Sequence, residues 1–98
     1  MAVTLLGLLH ERRGAVLRAA AARGAFDIRI FGSVARGQER PDSDIDLLVT
    51  WKPGTSLLDH AALILDLERL LGRKVEIASD GWIRPEIRES VYQDARPL

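Results

Sequence analysis

The chain has 98 residues, 47% of them hydrophobic, and its fourteen Lys and Arg are balanced by fourteen Asp and Glu. That size supports one core and therefore one domain over residues 1–98, with little chain left to wall a deep pocket alone. The charge balance excludes the positive field that drives sequence-independent nucleic-acid binding, and with no cysteine there is no disulfide framework, which places the protein by default in the cytoplasm.

The N-terminal run Leu5, Leu6, Leu8, Leu9 superficially resembles an export signal, but Glu11, Arg12 and Arg13 follow it, the reverse of a signal's charge order. No segment approaches the roughly 20 apolar residues of a membrane span. Leu5, Leu8, Leu9, Arg12, Val16 and Ala19 recur at helical spacing and predict a first helix over residues 4–23, closed by Gly24, with Gly14 as the place for a kink.

Residues 26–31 alternate apolar and polar and predict a strand that ends at the Gly32-Ser33 turn. Val34 to Gly37 reads as a short helical turn, followed by a polar connection over 38–43. Residues 44–51 predict a second strand with Asp44, Asp46 and Leu48 on one face and Ile45, Leu47 and Val49 on the other. Pro53-Gly54 breaks the chain, Ser56 and Asp59 open a capped helix carrying Leu57, Leu58, Ala61, Ile64, Leu65 and Leu71, and Gly72 closes it. A third strand over 74–79 and a last helix marked by Ile83, Ile87 and Val91, with Pro85 in its first turn, complete an α/β unit ordered helix, strand, strand, helix, strand, helix.

The chemistry concentrates between Phe31 and Val49. A glycine at position 32 lets a phosphate approach the backbone, and the N–H groups of the following turn, with the Ser33 hydroxyl, suit its oxygens. Strand periodicity puts Asp44 and Asp46 on one face, roughly 6.5–7 Å apart. At that distance they repel by about 2–3 kcal/mol, a cost that a divalent cation reverses; carboxylates with substrate phosphates are the donors Mg²⁺ prefers.

Competing motifs fail on these same residues. Gln38 and Glu39 stand where a P-loop needs Lys and Ser or Thr. An EF-hand starting at Asp42 meets Leu47 in place of its glycine and Pro53 in place of its bidentate glutamate. Ser33 lacks a nucleophile-elbow context, and His10 and His60 read as surface residues.

Gly32-Ser33-Val34-Ala35-Arg36-Gly37, followed by Ser43-Asp44-Ile45-Asp46-Leu47-Leu48-Val49, resembles the signature of the DNA polymerase β-like nucleotidyltransferase superfamily, and the short length resembles its minimal (MNT) branch. The resemblance spans about residues 26–79. It implies a small mixed β-sheet flanked by helices, ATP as substrate, and two Mg²⁺ ions held by Asp44, Asp46 and a third carboxylate that by position is Glu76. The family usually has aspartate there; the other reading of Glu76 is a solvated strand residue paired with Lys74 or Arg73. Gly32 and Ser33 would grip the phosphates, and Arg36 either joins them or pairs with Glu39 or Asp42.

The resemblance further implies an antitoxin that adenylylates a tyrosine of a HEPN-type toxin in a hetero-oligomer. Two alternatives stand beside it. One is an antitoxin with idle carboxylates that neutralises by binding, through Trp82, Ile83, Ile87, Val91 and Tyr92. The other is the transferase subunit of a two-chain enzyme modifying a small molecule. Neither nucleic acid nor membrane is expected as a direct partner.

Overall fold

The computed structural model describes residues 4–40 and 42–98. Met1 to Val3 of the export-like start and Pro41 of the polar connection lie outside them. In chain order the elements are α1 (Leu5–Glu11), α2 (Arg13–Ala22), β1 (Ala25–Phe31), α3 (Gly32–Ala35), β2 (Ile45–Trp51), α4 (Leu57–Leu71), β3 (Val75–Ser79), α5 (Pro85–Asp94) and β4 (Arg96–Pro97). No helix among the described residues is long and apolar enough to cross a membrane.

The four strands lie in the order β3-β2-β1-β4. β2 runs antiparallel to β1, β1 antiparallel to β4, and β2 parallel to β3 across the α4 crossover, so the sheet is mixed as expected. The period of two along β2 sorts its side chains to two covered faces. Ile45, Leu47 and Val49 enter the main core with Leu5, Leu9, Val16, Ala20, Leu63, Leu67 and Leu71 from α1, α2 and α4. Leu48 faces the other way, beneath Ile83 and Val91 at α5. Each fully buried Leu or Ile contributes about 1.5–3 kcal/mol relative to exposure, so both faces hold the sheet in place.

Four details depart from the sequence reading. The first helix is two: α1 ends and α2 begins at Arg12 (φ −96°, ψ 10°), not at Gly14. Thr4 Oγ1 and Glu39 Oε2 accept the Gly7 and Leu5 N–H groups at 2.9 and 2.7 Å, satisfying donors that a helix start leaves open. Strand β1 is irregular at Asp27, whose φ of 53° and register shift turn Phe26 outward to 46% exposure while Ile28 and Ile30 stay buried.

Helix α4 has the expected capping box at Ser56 and Asp59 and a left-handed Gly72 at its end, but a different apolar stripe. Leu63, Leu67 and Leu71 point into the core, whereas Leu57, Leu58 and Leu65 are 87%, 81% and 53% exposed. The fourth strand was not foreseen. Arg96 and Pro97 are too short for a periodic signal, and they pair with Ile30 and Arg29 because α5 delivers them to the free edge of β1.

Candidate active site

The candidate site lies on the α5 face of the sheet, where β1 ends and β2 begins. The antiparallel register sets Phe31 opposite Asp46, so the turn that follows Phe31 arrives beside that carboxylate. The parallel register sets Glu76 opposite Asp46 on the other side. The start of β2 is anchored from both flanks. Ser43 donates its N–H to the Arg40 carbonyl at 2.9 Å while its own carbonyl accepts from Arg73 Nη2 at 2.8 Å, and Ile45 N–H donates to the Lys74 carbonyl at 2.9 Å. Val75 N–H donates to Glu68 Oε2 at 3.1 Å, fixing the start of β3 to α4. Asp46 and Glu76 are thereby set by backbone pairing, while Asp44 lies one residue before β2, at the end of the connection and not on the strand expected to begin there.

Asp46 is half-buried, and its carboxyl is raised from 3.8 to about 6. Burial is the main cause, followed by the negative charges of Glu76 and Asp44 and a side-chain hydrogen bond with Glu76; the Arg36 charge opposes them. Glu76 is therefore a neighbour of Asp46 as well as a strand residue. Carboxylates crowded in this way repel one another, a cost that a divalent cation relieves, so the residues present fit Mg²⁺. Among the described residues no three His, Cys, Asp or Glu side chains are grouped so that they could hold a metal ion together, so Asp44, Asp46 and Glu76 do not form a three-carboxylate site in this structure. An open set still suits Mg²⁺, which commonly takes one or two carboxylates and completes its shell with water and phosphate oxygens.

Gly32 has φ +75°, and a Cβ built on it would stand 2.3 Å from Asp46 Oδ2 and 3.1 Å from its Cγ. Only glycine brings the turn this close to the carboxylate. Phe31 in the N-cap position makes no side-chain hydrogen bond to the turn, so Gly32, Ser33 and the N–H groups of α3 lead away from Asp46 without a capping side chain. Arg36 follows directly. Its Nη1 pairs with Asp94 Oδ2 and its Nε donates to Gln38 Oε1 at 3.1 Å, so neither Glu39 nor Asp42 is its partner. Glu39 is occupied at the start of α1 instead.

Asp94 is a site neighbour that sequence reading missed, lying 58 residues from Arg36 with no local pattern to join them. On the same face, Arg29 Nη2 donates to Asp80 Oδ2 at 2.7 Å, and the Tyr92 hydroxyl donates to Asp80 Oδ1. The Arg29 guanidinium also lies 6.0 Å from the Tyr92 ring centre. Asp80 is held below its ordinary value, first by the Tyr92 hydroxyl and then by Arg29, and the Tyr92 phenol is raised, first by its bond to Asp80. Asp80 lies in the turn just past β3, held there by its N–H donating to the Val49 carbonyl at 2.8 Å, and no local pattern in the sequence marked it. Of the apolar residues considered for docking, Ile83 and Val91 are core, while Trp82, Ile87 and Tyr92 are 88%, 49% and 41% exposed.

Comparison with known proteins places the chain among nucleotidyltransferases. The profile of a family described as the nucleotidyltransferase domain matches residues 16–97. Protein adenylyltransferase MntA of Thermococcus cleftensis is 35% identical over 71 residues, covering 72% of each chain. A Methanocaldococcus jannaschii protein named for the same activity is 39% identical over 66 residues, 67% of this chain and 71% of that one. A solved structure described as a minimal nucleotidyltransferase superposes with a TM-score of 0.84 at 53% identity, covering 95% of both chains. A toxin–antitoxin structure containing AMP-PNP shares the fold with a TM-score of 0.72 at 20% identity, over 89% of this chain and 69% of that one.

Proposed function

Because this chain belongs to the nucleotidyltransferase domain family, we propose that it transfers AMP from ATP to a tyrosine hydroxyl of a HEPN-type partner toxin and so acts as the antitoxin. The observation that carries the reading is the meeting of Asp46, Glu76 and Gly32 at one point of the sheet, a carboxylate pair against a turn that only glycine permits.

In this reading Asp44, Asp46 and Glu76 hold Mg²⁺, which when bound neutralises charge on the reacting phosphate. Gly32 and Ser33 grip the β- and γ-phosphates through backbone N–H groups and the Ser33 hydroxyl, and Arg36 adds a charge-assisted contact to them. These contacts fix the α-phosphorus for attack by the acceptor oxygen. Its bond to phosphorus forms as the α–β bond breaks, pyrophosphate leaves, and the hydroxyl proton passes to water. The similarity to proteins named as protein adenylyltransferases supports an acceptor carried by a second protein in a hetero-oligomer. The absence of cysteine suits a reducing cytoplasm.

The test is the intact mass of both chains after the protein, co-purified with the product of its neighbouring gene, is incubated with ATP and Mg²⁺. The expected result is an adenylyl-sized gain on the partner that Asp46→Asn abolishes. The exposed Trp82, Ile87 and Tyr92 favour one second reading, neutralisation by docking alone. A stable, neutralised complex without any mass gain would establish that reading in its place.

A further inference from the structure

Arg36 lies just past α3 on the open side of the site, where a free arginine carries about 2 kcal/mol of rotamer entropy that binding a ligand would have to overcome. It is not free here. Nη1 is tied to Asp94 and Nε to Gln38, while among the described residues Nη2 has no protein acceptor. The side chain of Asp94 is only 19% exposed, and its backbone is fixed from both directions. It closes α5, whose Val91 is buried and accepts the Ala95 N–H at 3.0 Å, and it precedes the two residues of β4 that pair with β1.

We infer that Asp94 is a positioning residue: it anchors Arg36 with a spare edge of the guanidinium presented to the triphosphate, so that the C-terminal helix sets nucleotide affinity. The inference rests on the reading of Arg36 as a phosphate ligand. A planar guanidinium held at two of its nitrogens loses little further freedom when the others bind phosphate oxygens. The nearness of Arg36 to the carboxylates is independent of this: its N–H donates at 3.2 Å to the carbonyl of Gly32, the residue that abuts Asp46.

The sign of the effect separates positioning from plain charge. A carboxylate beside an anion site repels a nucleotide, so if Asp94 acted by charge alone, Asp94→Asn would tighten binding. If it orients Arg36, the same change weakens binding, by about five-fold for a half-exposed pair.

The experiment is calorimetric titration of the protein with MgATP for Asp94→Asn, Asp94→Ser, Asp94→Glu, Arg36→Ala and Arg36→Ala/Asp94→Asn, with thermal melts of each to confirm folding. The expected result is weaker binding for Asn and Ser, partial recovery with Glu, and no further loss from Asp94→Asn once Arg36 is absent. Unchanged or tighter binding in Asp94→Asn, with Arg36→Ala still weakened, would overturn the inference and leave Arg36 as a phosphate ligand. An Arg36→Ala affinity equal to that of the unmodified protein would overturn both.

Discussion

The α-carbon of Gly32 faces the Asp46 carboxylate so closely that an added Cβ would sit 2.3 Å from Oδ2, at a backbone φ of +75° that L side chains rarely adopt. Two penalties therefore fall on Gly32→Ala. The backbone strain and the contact together cost about 1–2 kcal/mol of stability. Asp46 is pushed from its place, and a displacement near 1 Å at a reacting centre lowers the rate by about a hundred-fold. Chemical denaturation and single-turnover transfer assays should show the larger loss in activity.

The raised carboxyl of Asp46 makes stability depend on pH in a definite direction. Its folded value, about 6, exceeds the ordinary 3.8, so the folded chain holds the proton more tightly than the unfolded one. The stability this contributes is complete below 3.8 and is lost as pH rises through about 6. Asp46→Asn keeps a neutral side chain at every pH, so its melting temperature should exceed that of the unmodified protein at pH 8, with the difference shrinking at pH 4. Mg²⁺ should raise the melting temperature of the unmodified protein at pH 8 and do so far less for the variant.

The bond from Tyr92 to Asp80 predicts the opposite pH behaviour at two ends of the scale. Asp80 lies below its ordinary value of 3.8, so its contribution to stability is present above that value and lost as pH falls through its folded value. Tyr92 lies above 10.0, so its contribution is present below pH 10 and lost at higher pH. Asp80→Asn should lower the melting temperature more at pH 7 than at pH 3. Absorbance titration of the phenol should show Tyr92 ionising at lower pH in that variant.

Helix α4 offers a comparison between neighbouring leucines. Leu63 is fully buried and Leu65 is 53% exposed. Leu63→Ala should destabilise the fold by about 2–5 kcal/mol, and Leu65→Ala by less than about 1 kcal/mol. Equal losses in urea denaturation would show that α4 sits in a different rotation on the sheet.

Much of the site was legible in the linear chain because its parts are local. A glycine before a serine declares its geometry through φ freedom, and Asp46 on its strand through periodicity, both of which depend only on neighbours in sequence, whereas Asp44 falls one residue short of the strand. The strong α4 boundaries were readable for the same reason, since Ser56, Asp59 and Gly72 act within one turn. What the tertiary structure decided is everything set by register and by which side of an element meets the sheet. The apolar residues of α4 run nearly all round it, so periodicity did not select Leu63, Leu67 and Leu71; packing against α2 and β3 did. Glu76 became the hydrogen-bonded neighbour of Asp46 through parallel pairing across a crossover, and Asp94 became the partner of Arg36 through the return of α5 over the sheet. Both contacts join residues at least thirty positions apart, where no local preference acts and only the folded backbone brings the charges together.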